Sequence, residues 1–204
     1  NNESAVLIRT FDVDLAAPVL TEALSGISGA SSVYRNSEVA LGGDATDGNG
    51  VVEVRVTYKK DGGSEVVLLS DTTDDGSWST NLATALGDGA YELTFVAEDA
   101  VGKTTSFTRN VVLDTSQPDL SITAPVADEL VDTSSYTIRG QVTDNGGRGV
   151  TALEYSLTGT FTGEEVSIPL SGLNWSVAGV DFTSGGEGAK TLYVRATDGL
   201  NPYS

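Results

Sequence analysis

Near its start the chain reads FDVDLAAPVL, and one hundred residues later it reads VVLDTSQPDL. Each time an aspartate (Asp14, Asp114) closes an apolar run, a short step follows, and a proline (Pro18, Pro118) opens the next run. Further landmarks recur in the same order: Asp47 with Asp144, Trp78 with Trp175, Gly89 with Gly188, Leu93 with Leu192, and Asp99 with Asp198. Ordered landmarks at a nearly constant offset are the signature of an internal repeat. The chain is therefore constrained to fold as two copies of one unit of about 100 residues.

The unit is written in short strands. In YELTFVAED, Tyr91, Leu93, Phe95 and Ala97 alternate with polar residues, the period-2 pattern of a half-buried strand. Residues 51–58 (VVEVRVTY) set Val52, Val54, Val56 and Tyr58 against Glu53, Arg55 and Thr57, and residues 191–198 put Leu192, Val194 and Ala196 inward. Clusters such as DATDGNG, KKDGGS, DNGGRG and SGGEG punctuate the runs at turn spacing. Only NLATALGDG offers a helical turn, and a short one. The pattern predicts an all-β fold, and the unit size predicts tandem immunoglobulin-like β-sandwiches, end to end. Trp78 and Trp175, at matching places, are expected in the two cores.

The first copy runs over residues 15–114 and the second over 115–204. Residues 5–14 match 105–114, with Arg9 over Arg109 and Asp14 over Asp114. Residues 1–14 are thus expected to be the last strand of a preceding domain or a donor strand. The second copy is expected to lack its last strand, and the chain reads as a mature piece or an internal segment of a longer protein.

With 29 Asp and Glu against 11 Lys and Arg, the net charge is −18. Such a surface repels nucleic acid and anionic lipid, which are bound through Lys and Arg, and attracts cations. No apolar run approaches the roughly 18 residues of a membrane helix, so no membrane insertion is expected in this segment. There is no Cys, so no disulfide framework exists. Without Cys or His, neither a thiol or Ser–His nucleophile nor an imidazole zinc site can be assembled. No enzymatic activity is expected. The acidic loop DATDGNG fails the register of an EF-hand, and no helix follows the glycine-rich turns to make a phosphate loop.

The run Gly89-Ala90-Tyr91, then Asp99-Ala100-Val101-Gly102, then Asp114-Thr115-Ser116-Gln117-Pro118, resembles the tandem bacterial immunoglobulin-like domains of large surface adhesins. Lys103 departs from the Asn usual in that family, and Lys190 from its aromatic. The resemblance implies an extracellular or cell-surface stalk without catalysis, with neighbouring repeats of the same protein as partners. The principal expectation is a structural spacer of a bacterial cell-surface or secreted adhesin. The alternatives are a module binding a glycan or host protein as receptor, and an accessory domain of a secreted enzyme.

The acidic residues are the candidates for a site. In an immunoglobulin-like sandwich the loops after the second and sixth strands meet at one end, beside the entry of the chain. That places Asp14, Asp47 and Asp99 together at one end of the first copy, and Asp114, Asp144 and Asp198 together at the junction between copies. Ca²⁺ takes six to eight hard oxygens, so each trio is a candidate calcium site, and the resemblance implies calcium at such junctions. The competing reading is that each aspartate caps its own turn.

Overall fold

The structure, a computed structural model, describes residues 7–23 and 32–200. The first domain holds strands β1 (Val19–Leu20), β2 (Val33–Arg35), β3 (Val39–Thr46), β4 (Val51–Lys60), β5 (Glu65–Asp71), β6 (Ser77–Leu82), β7 (Gly89–Asp99) and β8 (Thr104–Leu113). A 3-10 turn, Thr84–Leu86, forms where the short helical turn is expected. The second domain holds β9 (Asp119–Ala124), β10 (Ser135–Thr143), β11 (Ala152–Ser156), β12 (Val166–Ser167), β13 (Asn174–Asp181) and β14 (Tyr193–Thr197). Among the described residues no helix is long and apolar enough to cross a membrane.

Each domain is a two-sheet sandwich, and the sheets correspond. Order β1-β3-β6 in the first becomes β9-β10-β13 in the second, and the β7-β4-β5 part of β2-β8-β7-β4-β5 becomes β14-β11-β12, with no counterpart of β2 or β8 among the described residues. Pairing is antiparallel except where β2 lies parallel to β8. In the second domain β14 stands at the sheet edge. Residues 7–17 form no strand, and Leu7, Ile8, Phe11 and Leu15 along them are exposed. Residues 1–6, the rest of the expected N-terminal strand, lie outside the described residues.

Alternation builds the cores. Tyr91, Leu93, Phe95 and Ala97 are all buried along β7. Phe95 sits between Trp78 and Phe107, with ring centroids 5.5 Å and 5.0 Å away, spacings at which offset aromatic pairs add to area burial. Along β4 the simple alternation fails once. Val52 was expected inward but is 43% exposed, while Val51 is buried. The ladder between β4 and β7 slips between Val51 and Glu53, and a bulge of one residue turns the preceding side chains to the opposite face. On β14, Ala196 is fully buried, whereas Val194 and the preceding Leu192 are half-buried.

Both tryptophans are core residues, and each faces a glycine across the ladder: Gly43 opposite Trp78, Gly140 opposite Trp175. A Cβ on Gly140 would strike the Trp175 ring and the Ser121 carbonyl, and one on Gly43 would strike the Thr21 carbonyl. A glycine inside a strand marks such close approach. The copies differ in the hydrogen bond of the indole. The Trp78 indole Nε1–H donates to the Thr21 carbonyl at 3.3 Å, whereas Trp175 Nε1 is buried with no hydrogen-bond partner.

Candidate functional site

Strand ends place the acidic residues. Asp47 follows β3 in the tight turn to β4, Asp99 closes β7, and Asp14 lies on the extended segment entering the first domain. Their equivalents are Asp144 after β10, Asp198 after β14, and Asp114 at the end of β8, on the chain's path into the second domain. The fold gathers them as two trios, Asp14-Asp47-Asp99 and Asp114-Asp144-Asp198, with one oxygen from each carboxylate within 4.8 Å of those of its partners. All six sequence candidates are brought together in the expected sets. Asp99, Asp114 and Asp198 are buried.

Turn capping and clustering coexist, because a carboxylate has two oxygens. Oδ1 of Asp47 accepts the Asn49 amide at 2.8 Å, and Oδ1 of Asp144 accepts that of Gly146 at 2.9 Å. Oδ1 of Asp99 accepts the amides of Val101 and Lys103, each at 2.9 Å, and Oδ1 of Asp198 accepts that of Leu200 at 2.6 Å. Asp14 Oδ1 accepts the Ala16 amide at 3.1 Å. The second oxygens of Asp14, Asp99 and Asp144 are buried and accept no hydrogen bond. A buried carboxylate oxygen without a donor is costly, and here such oxygens stand beside other carboxylates.

The inner trio is built from both domains. Asp114 accepts the Arg148 amide of the second domain at 2.8 Å. A Cβ on Gly146 would collide with the Asp114 carboxylate, and one on Gly147 with the Val112 side chain, so these two positions of the DNGGRG turn must be glycine for the domains to approach. Asn36 Nδ2 donates to the Leu200 carbonyl at 2.6 Å, and the Arg148 guanidinium lies over the Tyr34 ring, 5.3 Å from its centroid. Burial, together with the charges of Asp144, Asp198 and Asp88, pushes the Asp114 carboxyl above the ordinary carboxylate range.

Asp88 was not singled out from the sequence. Its Oδ1 accepts the Thr115 amide and hydroxyl, each at 2.8 Å, and its Oδ2 accepts the Ser116 amide at 3.1 Å and hydroxyl at 2.5 Å. Burial pushes Asp88 up, but the hydrogen bonds from Ser116 and Thr115 outweigh it and hold the carboxyl below its ordinary value. The clamp pins the two residues that follow Asp114, so the step between domains has little freedom. The signal in the sequence was the Asp in the turn before β7 and the Thr-Ser pair at the seam, which local pattern alone does not connect.

A family profile described as bacterial Ig-like domain matches residues 14–115, half of the chain, and a second, described as bacterial Ig domain, matches residues 118–194. The chain belongs to the bacterial immunoglobulin-like domains. This bacterial immunoglobulin-like pair is similar to several solved structures. It shares 18% identity with the fibronectin(III)-like modules of Clostridium thermocellum CbhA, over 86% of this chain and 85% of that one, at a TM-score of 0.35. With a tetra-tandem repeat from the extending region of a large adhesion protein it shares 23% identity over 86% of this chain and 47% of that one (TM-score 0.39). With a structure from a 1.5-MDa bacterial ice-binding adhesin it shares 16% over 90% and 65% (TM-score 0.31). No curated protein matches the chain.

Shallow hollows mark the described surface of the immunoglobulin-like pair. One, of about 170 Å³, is lined by residues including Lys59, Tyr91 and Asn110, and another, of about 190 Å³, by residues including Glu53, Arg55 and Glu98. Both fall below the roughly 300 Å³ at which small-molecule sites begin. Glu164 and Glu165, adjacent on the chain, are separately engaged: Glu164 with the hydroxyls of Thr158 and Thr160, Glu165 with the Gly163 amide.

Proposed function

We propose that this chain is a structural spacer of a bacterial cell-surface or secreted adhesin, two immunoglobulin-like domains whose junction is stiffened by a divalent cation, Ca²⁺. The observation that carries the reading is the seam itself. Asp114 is fully buried at the point where one domain becomes the next, hydrogen-bonded to the second domain and grouped with two of its carboxylates. A linker that served only as a tether would be exposed and rich in Gly or Ser. This one is clamped by Asp88 and restricted by Pro118, which also holds Gln117 near extended geometry.

The residues fit a hard cation. Asp114, Asp144 and Asp198 would hold it at the inner seam, and its charge would offset their mutual repulsion while tying the end of β8 to the loops after β10 and β14. The family supports a non-catalytic role, and a surface location agrees with an acidic chain that has no cysteine to oxidise.

Two measurements test the proposal. Small-angle scattering of the full chain is expected to give an elongated two-lobed particle that is less flexible in Ca²⁺ than in chelator, and melting is expected to shift upward in Ca²⁺. Identical scattering and superimposable melts in the two conditions would remove the calcium junction. Specific retention on a glycan array would instead make the pair a binding module.

A further inference from the structure

The two acidic clusters are equivalent by repeat but not by surroundings. At the outer cluster the Lys103 Nζ donates to the Asp14 carbonyl at 2.5 Å and stands 3.3 Å from Asp14 Oδ1. The Lys103 backbone amide donates to Asp99 Oδ1 at 2.9 Å. One residue therefore touches two of the three members, carrying a positive charge to one of them. The Asp14 side chain is 6% exposed in this pair and that of Lys103 33%, so the carboxylate side of the contact is the buried one. In the sequence the residue four positions after Asp198 is Pro202, which has neither an amine nor an amide hydrogen.

We propose that Lys103 is a tethered cation that serves the outer cluster in place of a metal ion, so that this chain holds one divalent ion, at the inner cluster, rather than two. The inference rests on the divalent-ion reading of the inner cluster given above. A lysine ammonium is a compact point charge with three donors. Placed at Asp14, it takes up the carbonyl and Oδ1, both oxygens of the kind a Ca²⁺ ion requires. It lowers the negative charge that attracts a second ion to Asp47 and Asp99. The entry of the chain into the first domain is thereby fixed whatever the calcium concentration, and the junction between the two domains responds to it.

The experiment is isothermal titration of CaCl₂ into the full chain, comparing the parent sequence with Lys103→Gln, Lys103→Met, Lys103→Arg and Asp144→Asn, each checked for folding by circular dichroism. One ion per chain is expected for the parent and for Lys103→Arg, none for Asp144→Asn, and two for Lys103→Gln or Lys103→Met, with the new site at least tenfold tighter than any residual outer binding in the parent. Lys103→Met keeps the aliphatic stem if Lys103→Gln folds poorly. Two ions in both the parent and the charge-removed variants would overturn the role of Lys103 and leave the calcium reading standing. One ion in both would overturn it too. No ion in the parent but one in Lys103→Gln would sink the inner site while supporting the tethered cation. No ion in any variant would sink both.

Discussion

Replacing Asp114 with Asn reverses sign with calcium. The Asp114 oxygen lies within 4.8 Å of oxygens from Asp144 and Asp198. Two unit charges at that separation, in an effective dielectric near 20, repel by about 3.5 kcal/mol. Two such neighbours at the 4.8 Å limit make about 7 kcal/mol of bare repulsion for the Asp114 charge to relieve. Solvent at the half-buried Asp144 and relaxation of the loops reduce that to roughly 1–3 kcal/mol. Asparagine keeps an oxygen to accept the Arg148 amide, so the 2.8 Å hydrogen bond survives the exchange. In chelator the variant is therefore expected to melt above the parent, by roughly 4–8 °C per kcal/mol for a domain of this size. In Ca²⁺ the order inverts. The parent gains about 2.7 kcal/mol when the ion is present at 100 times its dissociation constant, and the variant, having lost a buried ligand, gains far less. Differential scanning calorimetry of both proteins in chelator and in Ca²⁺ gives the four melting temperatures. A variant that melts lower than the parent in chelator and still gains the full calcium shift would refute both the repulsion and the ligand role.

Asp88→Ala removes four hydrogen bonds from Thr115 and Ser116 and is expected to destabilise by about 1–3 kcal/mol near neutral pH. Because the folded-state pKa of Asp88 is depressed, its contribution is present above the ordinary value of 3.8 and lost as pH falls through the lower folded value; urea melts of parent and variant that fail to converge in acid would refute this. Gly146→Ala drives a methyl into the Asp114 carboxylate, and a loss of about 1–3 kcal/mol together with a weakened calcium shift is expected; a silent substitution in denaturant melts would show that the domains do not approach as described. Trp78→Phe breaks a hydrogen bond to the Thr21 carbonyl whereas Trp175→Phe removes a buried donor that had none, so the former is expected to cost about 1 kcal/mol more. Equal losses in denaturant melts would count against that difference.

The repeat and the alternation were legible because both are properties of sequence order. A strand such as β7 buries every second residue wherever its sheet lies, so Tyr91, Leu93, Phe95 and Ala97 announce themselves locally. The aspartate trios were legible for a related reason: once two copies of a sandwich are recognised, the loops that must meet at one end are known. What depends on a partner was not. The exposure of Val52 follows from a slip against β7 between Val51 and Glu53, and a bulge exists only in a pair of strands. Asp88 grips residues 27 and 28 positions further along the chain, and Lys103 reaches Asp14 across 89. Sequence spacing carries no trace of such contacts, because folding closes these loops through packing elsewhere in the sandwich. Sequence order thus determined the two all-β units and which carboxylates would gather. The tertiary structure alone decided how each carboxylate divides its two oxygens between turn and cluster, and which cluster already has a cation, because both depend on side chains that distant parts of the chain bring within hydrogen-bonding distance.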